Sequence, residues 1–137
     1  MTKKLSEQLS IERIKESKVL LDQGCFCGAY YLAGYAVELA LKACIARKIN
    51  AHEIPDKKFI NDIYVHNLSQ LVQRADLEKD RIDKEDTDND FAINWGVVKD
   101  WNEGARYKEW TEAKATELYT AITSSQGGIL SWIQQYW

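Results

Sequence analysis

With 137 residues and a mass of 15.8 kDa, the chain can build one hydrophobic core and is too short for two ordinary domains. Hydrophobic residues make up 45% and charged residues 28%, with a single proline, which excludes a disordered chain and favours helices. A net charge of −3 excludes a global field that gathers phosphate backbones, so any contact with nucleic acid is local.

The N-terminal stretch MTKKLSEQLSIERIKESK has no apolar signal core and no small-residue cleavage site. Three cysteines, an odd number, fit a reduced interior, so a cytoplasmic setting is expected. The weakly charged run 24–37 is shorter than a bilayer span and is interrupted by Glu38 and Lys42, so no membrane association is expected.

Residues 5–21 carry Leu5, Leu9, Ile11, Ile14, Val19 and Leu21 at imperfect helical spacing, which predicts an amphipathic helix ending near Gly24. Residues 26–48 are apolar around most of the circumference and predict the central helix of a bundle. A loop over 50–65 holds Pro55, and a short helix over 66–75 buries Leu68, Leu71 and Val72.

The segment DLEKDRIDKEDTDND, residues 76–90, has eight acidic and three basic residues and reads as an exposed, mobile connector. Thr87 with Asp90 resembles a helix start, and the helix that follows presents Phe91, Trp95 and Val98 to the core, with Trp101 nearby. From Thr111 the helical phase of Leu118, Ile122, Ile129, Trp132, Ile133 and Tyr136 runs on across Gly127-Gly128, which reads as one long helix weakened by the glycine pair, with a break there as the alternative. The expected architecture is all-α: an antiparallel up-and-down bundle of four to five helices forming a single domain over residues 1–137.

Chemistry-bearing residues are few. Cys25, Cys27, Cys44 and the two histidines invite a metal reading, but a structural zinc site needs matched close pairs and only one exists, so the cysteines read as small hydrophobes and no metal or other cofactor is expected. Glu38 and Lys42 are four residues apart in the favourable order, on one stripe with Tyr31, Gly34 and Tyr35. That stripe is either a partly solvated bundle edge or a polar, aromatic-lined strip at a groove or dimer seam.

Arg47 and His52, separated by four residues, pair a cation with a titratable imidazole. Trp95, Trp101, Arg106, Tyr107 and Trp110 form an aromatic group with a guanidinium, able to stack bases and hold a phosphate. The alternative is that these aromatics are core and Arg106 pairs with a carboxylate.

The run AYYLAGYAVELALKACI, followed by HNLSQLV and then by Trp95, Trp101, Arg106 and Tyr107 as W-x5-W-x4-RY, resembles the HEPN domains over about residues 10 to 135. The resemblance implies a helical bundle, frequent homodimers, and functions from metal-independent RNases through nucleotide binding to non-catalytic partners of minimal nucleotidyltransferases. Toxin–antitoxin and phage-defence settings are common among such proteins. RNase members carry an arginine and a histidine with four to six residues between them, late in the domain. Here Arg106 has the position, but Thr111, Glu112 and Ala113 stand where the histidine would.

The expected function is therefore a non-catalytic module that binds a nucleotide, RNA or a protein partner through Glu38, Lys42, Arg106 and Tyr107. A metal-independent endoribonuclease using Arg47 and His52 is the alternative, and a structural partner that masks another protein through its acidic segment is the third reading.

Overall fold

In a computed structural model of the chain, which describes residues 2–50 and 65–137, helix α1 spans Lys3–Asp22 and opens where the Thr2 hydroxyl accepts from the Leu5 amide at 3.1 Å. It stops before Gly24, whose φ of +79° suits a residue without a Cβ. Of the apolar residues of α1, Ile14, Leu20 and Leu21 pack half-buried against the core, but none is fully buried. Ser6, Ser10 and Ser17 are buried, while Leu5, Ile11 and Val19 are 43%, 38% and 61% exposed.

The reason lies in helix α2, Phe26–Asn50, which carries Ala29, Ala33, Ala36 and Ala40 at helical spacing. Small residues on both helices let the backbones approach closely. Each buried hydroxyl then needs an acceptor, and Ser10 donates to the Ala36 carbonyl and Ser17 to the Ala29 carbonyl, both at 2.7 Å.

The remainder of α2 forms the centre of the core, with Val37, Leu39, Leu41 and Ile45 at 0–1% exposure. Residues Phe26–Lys48 are long and apolar enough to cross a membrane by composition, and 72% of the most apolar window is buried within the bundle.

Helix α3, Leu68–Arg74, starts two residues later than the sequence pattern suggests, because Asn67 is its cap and accepts from the Gln70 amide at 3.0 Å. It ends with Asp76 at φ 60°, the Asp76 amide bonded to the Gln73 carbonyl and the Leu77 amide to the Val72 carbonyl.

The acidic segment is not an irregular connector: Glu78–Thr87 form helix α4. Its charges are paired along the helix, Arg81 with Glu78 and Glu85, Lys79 with Asp83, Lys84 with Asp88. No residue of α4 is buried, but Asp80 accepts from Trp132 Nε1 at 2.7 Å and from the Tyr136 hydroxyl at 2.6 Å, and Arg81 lies over the Trp95 ring at 5.7 Å.

Helix α5, Asn89–Val98, is capped by Asp88 and not by Thr87, whose hydroxyl instead donates back to the Asp83 carbonyl. It buries Phe91, Trp95 and Val98 as its phase predicts. A 3₁₀ turn, Glu103–Tyr107, leads to helix α6, Glu112–Thr123, capped by the Thr111 hydroxyl.

The chain then breaks and restarts as helix α7, Ile129–Gln134. The glycine pair does more than weaken a helix. Gly127 has φ +70° and a Cβ there would sit 2.5 Å from the Phe91 amide, while one on Gly128 would sit 2.1 Å from the Ser124 carbonyl oxygen. The apolar phase survives the break, since Leu118, Ile122, Ile129, Trp132 and Ile133 are all buried in one core.

Candidate functional site

The stripe on α2 is roofed over. A Cβ on Gly34 would fall 2.2 Å from the Trp101 ring, so this glycine is the floor on which the indole lies. Trp101 is 2% exposed and lies 5.9 Å from the Tyr31 ring. Its Nε1 has no hydrogen-bond partner among the described residues.

Glu38 is 2% exposed, so the edge reading, in which the ionic pair is solvated, does not hold. A carboxylate taken this far from water requires partners. Lys42 Nζ meets Oε2 at 3.2 Å and His66 Nδ1 meets Oε1 at 3.1 Å.

His66 connects this buried carboxylate to the surface. It stands just before the Asn67 cap, and its Nε2 lies 3.3 Å from Glu103 Oε2 on the 3₁₀ turn. Each ring nitrogen of His66 therefore faces a carboxylate oxygen, Nδ1 that of Glu38 and Nε2 that of Glu103. The result is a chain of carboxylate, imidazole and carboxylate running from the core to the turn.

The turn is set by Asn102, whose Oδ1 accepts from the Gly104 amide at 2.8 Å. Side chains three apart in a 3₁₀ turn eclipse one another, which places Arg106 on the side of Glu103. The Arg106 guanidinium is exposed, lies 4.8 Å from the Tyr107 ring centre, and also meets Tyr31. Tyr107 first, and Tyr31 after it, raise the pKa of this guanidinium. Burial raises the Tyr31 phenol, and Arg106 partly opposes that rise. Among the described residues Arg106 forms no ion pair with a carboxylate, contrary to the core-and-carboxylate expectation.

Of the five-member aromatic group, Trp95 and Trp101 are core, at 3% and 2% exposure. Trp110 stacks on Tyr30 at 3.6 Å and donates Nε1 to the Ala105 carbonyl at 2.9 Å, which braces the turn from behind. The ring left open to solvent beside the guanidinium is Tyr107, 78% exposed. Glu38, Lys42 and Arg106 thus belong to one neighbourhood with Tyr31 of the same stripe, together with His66 and Glu103, which the sequence reading does not single out. The available signal was faint: His66 lies inside the HNLSQLV block, 28 residues from Glu38.

Arg47 is elsewhere. It lies nine residues beyond Glu38 on α2, about 13 Å along the axis, and donates to the Tyr136 carbonyl at 3.3 Å. With Cys44, Lys48, Asp76, Asp80 and Tyr136 it lines a cleft of about 450 Å³. His52, its proposed partner, lies outside the described residues. Cys44 is buried and burial pushes its thiol up to about 12, while Cys25 and Cys27 are exposed at the start of α2. Among the described residues no group of three His, Cys, Asp or Glu side chains is placed to hold a metal ion.

No protein-family model, curated protein or solved structure matches this chain.

Proposed function

We propose that the chain is a HEPN-like helical module that binds the phosphate of a nucleotide or RNA at the Arg106–Tyr107 turn, without catalysing a reaction. The observation that carries this reading is Arg106 itself: an exposed guanidinium held between phenols and free of any ion pair among the described residues. A guanidinium so placed offers its planar fork to a phosphate while Tyr107 offers a stacking face. Glu38, Lys42 and His66 fix the turn from beneath rather than touch the ligand. A homodimer or a nucleotidyltransferase partner in a toxin–antitoxin setting is compatible with this role, as is a cytoplasmic location.

Titration of a fluorescein-labelled, 5′-phosphorylated oligoribonucleotide, and of ATP as competitor, tests it by anisotropy. Arg106→Ala is expected to weaken binding ten- to hundred-fold, in line with about 1.4 to 3 kcal/mol for a charge-assisted contact. Tyr107→Ala should weaken it less, and Arg47→Ala should leave it unchanged. Equal binding by wild type and Arg106→Ala, or no binding by either, overturns the proposal.

A second reading has one observation in its favour, the imidazole of His66 oriented by Glu38 on the turn that carries Arg106. In that reading His66, in place of His52, is the general acid or base of a metal-independent endoribonuclease and Arg106 stabilises the phosphorane. RNA cleavage in EDTA that is lost in His66→Gln and in Arg106→Ala, but kept in His52→Ala, would establish it over the binding role.

A further inference from the structure

Between α5 and α6 lies a groove of about 860 Å³ that Arg106 does not line. One wall is Ile93 and Val97 of α5, and the other is the small-residue series Ala113, Thr116, Thr120 and Ala121 of α6. Ile93 is 59% exposed and stands beside this concavity next to Val97. Small side chains on successive turns of α6 give the groove its depth.

The groove is held in shape. Asn94 Nδ2 donates to the Gly127 carbonyl at 3.0 Å, and Gly127 lies so close to α5 that a Cβ would strike the Phe91 amide. A smaller cleft of about 180 Å³ shares Ile93 and Asn94 with it and extends it toward Asp90.

Charge states which partner fits. Every ionisable residue lining the groove and its extension is acidic: Glu112, Glu117 and Asp90. The nearest base on α6 is Lys114, which reaches Glu117 only at 3.8 Å and is 62% exposed. A surface ion pair this open contributes little and is easily replaced. The groove runs along a helix of 12 residues, about 18 Å, which is the length of three turns of a docked helix.

We propose that the α5–α6 groove is a docking site for a basic amphipathic helix of another protein, its apolar side chains against Ile93 and Val97 and its Lys or Arg residues against Glu112, Glu117 and Asp90. This is the helix-in-groove mode of recognition, with acidic rims selecting for basic partners. It is independent of phosphate binding at Arg106.

The test uses the full chain and two fluorescein-labelled helical peptides of identical leucine pattern, one with lysines and one with glutamates on the polar face. The lysine peptide is expected to bind and the glutamate peptide not to. Ile93→Asp and Thr116→Arg, both at exposed positions, should each weaken the lysine peptide at least ten-fold with the circular dichroism unchanged. Glu112→Gln with Glu117→Gln should weaken it and flatten its salt dependence, whereas Asp83→Asn with Asp86→Asn on α4 should not. Binding of the lysine peptide within two-fold of wild type in Ile93→Asp and Thr116→Arg, or equal binding of the glutamate peptide, overturns the proposal. So does a wild-type dimer that Ile93→Asp converts to monomer, because the groove would then be filled by a second copy of the chain.

Discussion

Two arginines, Arg106 on the 3₁₀ turn and Arg47 near the end of α2, differ in what surrounds them. Arg106 lies against Tyr107 and Tyr31, above a Glu38 whose charge is already shared between Lys42 and His66. Arg47 donates to a carbonyl and lines a cleft with Asp76 and Asp80, both acidic. The first guanidinium faces phenols, and the second shares its cleft with Lys48, Asp76 and Asp80. A histidine five residues past an arginine is a statement about the chain. Whether the cation is available to a ligand is decided by neighbours from other elements.

The largest expected effect is in the first neighbourhood. Glu38→Ala removes the buried partner that Lys42 and His66 share, and is expected to cost about 2 to 3 kcal/mol in urea unfolding at pH 7, since both partners left behind can reach water. A loss below about 1 kcal/mol would mean that the carboxylate is not the buried anchor of the turn.

Gly34→Ala probes the same neighbourhood through its sign. In a solvent-exposed helix the change would stabilise by about 1 kcal/mol. Here the new methyl meets the Trp101 ring, and a destabilisation of about 2 kcal/mol with a shifted tryptophan emission is expected. Stabilisation would show that the indole does not lie on α2.

In the second neighbourhood the smallest effect is expected. Tyr136→Phe removes the hydroxyl that donates to Asp80, and should cost about 1 kcal/mol at pH 7 by urea unfolding. The hydrogen bond to Asp80, with burial second, pushes the Tyr136 phenol from 10.0 up to about 12. A raised phenol stabilises the fold below the unfolded value and loses that contribution as pH climbs from 10 toward 12. The gap between Tyr136→Phe and wild type should therefore be full at pH 7 and narrow at pH 11.

The elements most legible in the sequence were those whose partners lie on the same helix. The continuous apolar surface of α2 and the Phe91, Trp95, Val98 phase of α5 both mark core and both are core. The α1 pattern is half right: Ile14 and Leu21 pack against the core, but Leu5, Ile11 and Val19 face outward and the alanine stripe of α2 takes serines at the closest approach. The acidic density of residues 76–90 signals exposure correctly and irregularity wrongly, since ion pairs at helical spacing neutralise it. The break at Gly127-Gly128 depends on the Phe91 amide and the Ser124 carbonyl, neither visible in a local pattern. The candidate site was half legible: Glu38, Lys42, Arg106 and Tyr107 could be picked out as a polar exception and an aromatic cluster. His66 and Glu103 join them only through contacts between distant segments.

The serine bonds of α1 have one more consequence. Ser10 and Ser17 are seven residues apart, and their acceptors Ala36 and Ala29 are seven apart in the opposite order. Two such bonds fasten antiparallel helices at two points along a shared seam, so α1 can neither slide by a turn nor roll about its axis without breaking both. Leu5, Ile11 and Val19 are thereby held facing outward, and anything that meets this helix meets a fixed surface rather than one that can turn away.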